Sequence, residues 1–433
     1  MIVGTSGRRA FAAFGSNHRD TLWIFAERIA GSILNFLAVL AVMRLLGPTV
    51  YGEWAFSFSI VSLLLVSGNL GLDGLAMRKL IELPHKTKEL LGVITVLRYA
   101  VYFLVISGTL LVFSLSYNVT TTELHILYIL VPVVLAAPLT ASILAWANSQ
   151  SYFSDTARWR ILVLMIGSVA KIALVFAGFG IVEFSIAHSA MFSLEAAVLL
   201  SVLALKRGPL PWEWKFENDI AFILLRQSVF LFAATLFATL YFTLDVIILR
   251  VYRGTFEVGM YAVVPQILFA TQLIPYAVTL SQFPSLTKTA ATQTQEADFR
   301  VHVSKLLVTL IVLSIAACAA VAVFNSIFFD MIFGDAYREA KGYLWIACLA
   351  ITPIFIRQLT TKLYILQDSG RVLASIEFVG LVIVTILLFV FVPIYGGYAA
   401  IASVVIGVWT TVVLSLSQLG LLTYQKKPSR RSV

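Results

Sequence analysis

The chain has 433 residues, 60% of them hydrophobic and only 12% charged, with a mean hydropathy of +0.94 and a formal net charge of +9. A soluble globular chain averages roughly 25% charged residues, and a water-soluble fold of this length could not cover itself with so few polar side chains. Composition therefore excludes a soluble enzyme or binding domain and places the chain in lipid.

Backbone amides in hydrocarbon must be paired internally, which leaves helices or closed barrels. The apolar runs are about 20–28 residues long and unbroken, as crossing helices require, and are not the alternating segments of about ten residues that build barrels. In chain order the predicted crossings are 21–45, 53–77, 91–114, 124–147, 160–179 and 182–205, then 221–250, 258–283, 303–325, 342–366, 372–393 and 397–423. The fold class is thus an all-α polytopic membrane protein of about twelve helices in two six-helix lobes. The expected divisions are an N-terminal tail 1–20, an N-terminal lobe 21–205, a linker 206–220, a C-terminal lobe 221–424 and a basic tail 425–433. The tail 1–20 lacks the apolar core of a cleaved signal peptide, so the first helix is expected to be retained. Prolines 132, 138, 265, 275 and 353 fall inside apolar segments, where each frees a carbonyl and favours a bend.

Cys318 and Cys348 lie inside apolar runs without metal-ligand spacing, and the five histidines are scattered. No metal and no cofactor is expected. With the N-terminus inside, twenty Lys and Arg fall on the cytoplasmic side against five outside (Arg44, Arg250, Arg253, Arg338 and Lys341), which predicts both termini in the cytoplasm. The positive charge is mostly this bias, so nucleic acid is not an expected partner.

The halves share a pattern. Gly47-Pro-Thr-Val-Tyr-Gly52-Glu-Trp54-Ala55 follows the first helix, and Gly254-Thr-Phe-Glu-Val-Gly259-Met-Tyr261-Ala262 follows the seventh, 207 residues on. A weaker echo pairs Gly180 with Gly396-Gly397. Even-numbered halves insert the same way up, so the implied pseudo-two-fold axis runs along the membrane normal, and such repeats place a transport site at their interface.

The stretch Leu46-Gly-Pro-Thr-Val-Tyr-Gly-Glu-Trp-Ala, then Asn69-Leu-Gly-Leu-Asp73-Gly-Leu-Ala-Met-Arg78, resembles the polysaccharide (O-antigen) transporter family of the multidrug/oligosaccharidyl-lipid/polysaccharide flippase superfamily. Asn69 stands where that pattern more often has Asp. Tyr241-Phe-Thr-Leu-Asp245-Val-Ile-Ile-Leu-Arg250 and the following Gly259-Met-Tyr261-Ala262 extend the resemblance over residues 20–424. It implies a V-shaped pair of lobes that carries a polyprenyl-pyrophosphate-linked oligosaccharide, an O-antigen or exopolysaccharide repeat unit, from the cytoplasmic to the outer leaflet of a bacterial-type inner membrane. The implied partners are that substrate, membrane lipids, a proton or sodium ion, and polysaccharide polymerase machinery.

A charge at the bilayer centre costs roughly 2.5–3.5 kcal/mol even on lenient scales, so each needs a reason. Arg28, Arg98, Arg226, Arg357 and Lys362 cluster in the cytoplasmic half, with Glu377 in the same layer. They read either as a basic vestibule for pyrophosphate, where Arg forms bidentate contacts, or as snorkelling groups with local pairs such as Arg28–Asp73. Lys171 and Glu195 read as an intralobe pair, or Glu195 as a proton carrier, with Glu27 and Asp73 as further coupling candidates. Asp245 reads as a partner of Arg250 or of a neighbouring cation, or as part of an outer gate.

Two other functions fit the helix count. A cation-coupled drug antiporter of the same superfamily needs an acid-rich cavity, which the near balance of charges disfavours. A membrane polysaccharide polymerase usually displays a long outer loop, and the outer loops here are short. The chain reads as a transporter and not an enzyme, and without a Walker motif ATP is not its direct energy source.

Overall fold

Where the chain reverses between crossings, its backbone must turn sharply, and glycine is the residue that permits it. In the computed structural model, which describes residues 18–115, 119–291, 296–367 and 369–421, α1 runs His18–Asn69. At about 1.5 Å per residue it would be more than twice as long as a bilayer is thick. Gly47 interrupts it with φ 80° and ψ 175°, a conformation essentially reserved for glycine, and Pro48 opens the return arm where its missing N–H is harmless. One continuous element is therefore two crossings. Eleven stretches among the described residues are long and apolar enough to span a membrane, and the first, Phe25–Glu82, contains this reversal. Counted among the described residues, this gives twelve crossings, the number the apolar runs predict.

The return arm ends at Asn69, Leu70 and Gly71 turn with positive φ, and α2 (Asp73–Glu82) completes the second crossing. Then come α3 (Thr87–Leu115), α4 (Thr121–Ser149), α5 (Phe153–Phe176) and α6 (Ile181–Leu205). The seventh crossing is α7 (Asn218–Tyr241) with α8 (Leu244–Arg253), and the eighth is α9 (Thr255–Tyr261) with α10 (Val263–Ala291). The remainder are α11 (Glu296–Val323), the short α12 (Phe329–Phe333), α13 (Lys341–Leu366), α14 (Gly370–Tyr395) and α15 (Gly397–Leu421). Among the described residues there is no strand. α4 and α13 run through Pro132, Pro138 and Pro353, whereas Pro265 sits in the first turn of α10, just after the break that ends α9. The N-terminal tail up to residue 17 and the basic tail 425–433 lie outside the described residues.

The first six crossings pack on one another, α1 against α5 and α4, α4 against α6 and α3. The last six do the same, α14 against α7 and α15, α13 against α11 and α15. Contact between the sets comes chiefly from α9 on α1, with smaller contributions from α7 against α1 and α3. Gly254 reproduces the Gly47 conformation, φ 84° and ψ 179°, so the repeat read in sequence is a repeat of backbone geometry. The weaker echo is looser. The Gly180 amide donates to Glu183 of its own helix at 3.0 Å, whereas the Gly397 amide donates to Glu257 of α9 at 2.7 Å.

The segment between α6 and α7 folds back onto the first set. Lys215 N–H donates to the Lys88 carbonyl at 3.1 Å, Lys88 Nζ meets Glu213 at 2.6 Å and Lys86 meets Glu217 at 3.2 Å. The Lys88 ammonium, aided by the Leu210 amide, holds the Glu213 carboxyl below its ordinary value. Trp214 turns inward and donates to the Pro209 carbonyl at 2.8 Å, while Trp212 is exposed, so only one ring of the pair has the solvent-facing position expected of a headgroup anchor.

Two predictions follow from these contacts. G47A and G254A each lose about 1–3 kcal/mol, because an added Cβ meets no atom within 4 Å and the whole penalty is backbone strain. G74A, inside α2 with equal space, is neutral or stabilising by up to about 1 kcal/mol. Detergent-solubilised unfolding midpoints check all three. For the linker, the depressed Glu213 carboxyl contributes fully at neutral pH, begins to lose its contribution near its ordinary value of about 4.3 and loses the rest as pH falls below that, through its depressed value. Linker protection from hydrogen exchange, corrected for intrinsic rate, should fall through that window, and K88A should reproduce the loss at pH 7.

Candidate functional site

Arginines are the points at which this chain departs from a plain hydrophobic bundle. Each buried guanidinium carries five N–H donors and a charge that cannot be titrated away, so its neighbours reveal what the bundle is built around.

Arg98 on α3 is buried. Its Nη2 donates to Asp73 Oδ1 at 2.6 Å and to Asn69 Oδ1 at 2.9 Å, both at the bend between α1 and α2. Asn69, where the family pattern more often has Asp, also donates to Asp73 Oδ2 at 2.8 Å. Asp73 is thus committed to Arg98 and not to Arg28, the local pair suggested by sequence. Arg28 of α1 instead lies over the ring of Tyr276 on α10, 4.3 Å from its centroid. Tyr276 belongs to the second half of the chain. This is a cationic position shared between lobes.

Arg357 is satisfied within the second lobe. Its Nε and Nη2 donate to Glu377 Oε1 at 3.1 and 2.9 Å, and its guanidinium carbon lies 5.5 and 5.4 Å from the ring centroids of Tyr241 and Phe242. Arg226 is exposed on α7. The five cations expected to share one vestibule therefore divide: Arg98 and Arg357 are bound to carboxylates within their lobes, Arg28 reaches across the boundary to Tyr276, Lys362 lies half-buried on α13, and Arg226 stands apart from those contacts.

The Lys171–Glu195 pair does not form. Arg160 bridges Glu195, at 2.7 Å from its Nε, and Glu27, through Nη1. The reason lies in where α5 begins. Its predicted start at 160 left Arg160 in a loop and put Lys171 at mid-membrane, but the helix starts at Phe153, seven residues earlier. That shift carries Arg160 about 10 Å into the helix, level with Glu195, and moves Lys171 toward the far end. Lys171 is buried there beside Phe184, its Nζ 5.7 Å from the ring centroid. Next to it His188 is enclosed by Trp54, Phe58 and Phe192.

Asp245 does not pair with Arg250. It is buried and accepts from the Tyr261 hydroxyl and from the Val246 amide, the latter at 2.7 Å. Arg250 crosses to Glu123 on α4, with Nε at 2.6 Å from Oε1 and Nη2 at 3.0 Å from Oε2. Glu123 is fully buried and was not among the residues picked from sequence. Its signal was there in Thr120-Thr-Thr-Glu123, a capping box in which the Thr120 amide donates to Glu123 Oε2 at 2.8 Å. Capping explains an acid at that position, but an arginine from the other lobe uses the same carboxylate. Tyr276 was missed because an aromatic at helical spacing looks like core. Among the described residues no group of three His, Cys, Asp or Glu could hold a metal ion.

Solved structures with this architecture place the fold. The chain aligns with lipid II flippase MurJ in an inward closed conformation at a TM-score of 0.71 and 13% identity, over 93% of this chain and 87% of that one. An inward-facing multidrug resistance MATE family transporter of the MOP superfamily aligns at 0.72 and 13%, covering 93% and 99%, and an outward-facing one at 0.64 and 14%, covering 93% and 94%. The shared fold is two six-helix lobes. Comparison with curated protein sequences found no match. The family model for polysaccharide biosynthesis protein matches residues 18–290, the whole first lobe and the start of the second, and this multi-pass membrane chain belongs to that family.

Proposed function

We propose that the chain moves a polyprenyl-pyrophosphate-linked oligosaccharide from the cytoplasmic to the outer leaflet of a bacterial inner membrane by alternating access. The lobes are 21–205 and 221–424, both termini are cytoplasmic, and the prenyl tail stays in lipid. The observation that carries this reading is the cross-lobe contact of Arg28 with the ring of Tyr276, 4.3 Å from its centroid. A guanidinium at the lobe boundary, with Lys362 also supplied by the second lobe, is suited to a divalent, phosphate-like group. A ring face occupies none of the guanidinium's N–H donors, so Arg28 retains the fork that grips phosphate oxygens. Arg98 and Arg357, each held by a carboxylate, act as positioning groups that fix the cavity walls. The drug-antiporter reading draws on the MATE fold likeness, but a cationic lobe boundary suits an anionic cargo better than a cationic drug. The fold likeness to a lipid flippase and to transporters supports transport over polymerisation chemistry.

Coupling is assigned to Glu27 and Glu195. Two carboxylates share Arg160, leaving one negative charge in excess among these three groups, and a proton or sodium ion would neutralise it. Asp73 is less suited because Arg98 already balances it.

In a host lacking its own flippase, R28A should lower surface polysaccharide at least about ten-fold at equal expression, the effect of one lost charge-assisted contact. R28K and K362R should retain part of the activity, and R226A should stay near the parent level. Normal export by R28A and K362A would remove the anion site. E195Q and E27Q should each lower export by a similar factor, and the parent should slow when the proton gradient is collapsed. Export that persists through the collapse removes both carboxylates as proton carriers.

A further inference from the structure

Gly52 and Gly259 stand at equivalent places in the two lobes, each five residues beyond its turn glycine. Both lie within helices and outside the left-handed region, so neither is required by its own backbone. Yet neither site can accept a side chain. A Cβ on Gly52 would stand 1.9 Å from the carbonyl oxygen of Thr255, and one on Gly259 would stand 1.8 Å from the carbonyl oxygen of Pro48. Pro48 and Thr255 each directly follow a turn glycine, Gly47 and Gly254. The contact is therefore reciprocal, each lobe's helix glycine packing on the other lobe's post-turn carbonyl.

Charged and polar contacts surround it, all at the face opposite the start of α1. Arg250 of the second lobe grips Glu123 of the first at 2.6 Å. Arg44 of the first lobe donates to the Met331 carbonyl of the second at 2.8 Å. Gln266 donates to the Tyr51 hydroxyl at 3.2 Å. Each lobe sends one arginine across, from three or four residues ahead of its turn glycine.

We infer that this ring is a state-selective latch that closes the pathway at that face and opens as one unit when the lobes separate there. The glycine requirement exists only while the lobes are docked. Within either lobe alone, alanine is the better helix residue. A methyl at 52 or 259 therefore penalises one conformational state and leaves the fold of each lobe intact. The latch rests on the alternating-access reading above and adds which residues hold the outer face shut.

The test uses the full chain in proteoliposomes with C318S and C348S, and Q266C as the single reporter thiol. The Tyr51–Gln266 bond is thus given up in every arm alike. A membrane-impermeant maleimide is added from the far side. G52A and G259A should raise the labelling rate roughly ten-fold or more, the population change expected from removing a contact made in one state only, with unfolding midpoints unchanged or higher. E123Q should also raise it, and the swapped pair E123R/R250E should return it toward the parent value. Folded alanine variants that label at the parent rate overturn the latch. So do alanine variants with lowered midpoints, since the glycines would then be a folding requirement. Labelling is independent of cargo, so a responsive latch in a chain that exports nothing removes the flippase reading and supports the latch.

Discussion

A guanidinium keeps its proton at any pH the protein meets, so in a low-dielectric interior it cannot escape burial by neutralising itself as lysine or glutamate can. It must find an acceptor or a π face, and most of the polar architecture of this chain follows from that requirement. Arg98 finds Asp73 and Asn69, Arg160 finds Glu27 and Glu195, Arg250 finds Glu123, and Arg357 finds Glu377. Removing one partner of such a pair leaves a stranded charge and costs about 3–5 kcal/mol, while the intact pair need add little net stability. These pairs therefore specify arrangement more than they supply stability, each fixing the depth and rotation of two or three helices.

The duplicated halves give that specification its geometry. Because Gly47 and Gly254 adopt one conformation, the elements that follow them approach the axis between the lobes from equivalent directions. Contacts related by that axis can then be reciprocal, as at Gly52 and Gly259. Symmetry does not extend to the side chains. Arg250 meets a carboxylate where Arg44 meets only a carbonyl, so one half of the ring carries a full ion pair and the other a single hydrogen bond.

Much of this was legible in the sequence. Crossing number, the two-fold repeat and the family resemblance all rest on patterns that lipid or backbone sterics impose locally: unbroken apolar runs, glycines at fixed spacing, a Gly-Pro turn. Individual charge partners were not legible, and the reasons are specific. Placing Arg160 required the start of α5, and the polar run Ser149 to Asp155 gives no sharp helix signal. An error there of seven residues, nearly two turns, moved Lys171 and Glu195 out of register with one another. Asp245 and Arg250 lie five apart, an interval that never shares a helix face, and each took a partner from elsewhere. Glu123 and Tyr276 have ordinary local explanations, a cap and a core aromatic, which conceal a second role that exists only once the other lobe is in place.

Pairs within a lobe and pairs between lobes have different consequences for motion. Arg98, Arg160 and Arg357 have their carboxylate partners inside single lobes, so each lobe can move as a unit without separating these ion pairs. Only contacts that bridge the lobes must break in a rocking motion, and these are unequal. At one face Arg250 is held by both oxygens of a fully buried carboxylate. Toward the other, Arg28 is held by an aromatic ring, a contact worth roughly 0.5–2 kcal/mol that a phosphate group could displace without first overcoming an ion pair. An anionic cargo entering there would therefore compete with the weaker of the two cross-lobe contacts, and its own charge would take over the guanidinium that the ring gives up. On the proposed cycle the stronger contact, remote from that entry, would keep the opposite face shut until the lobes themselves move.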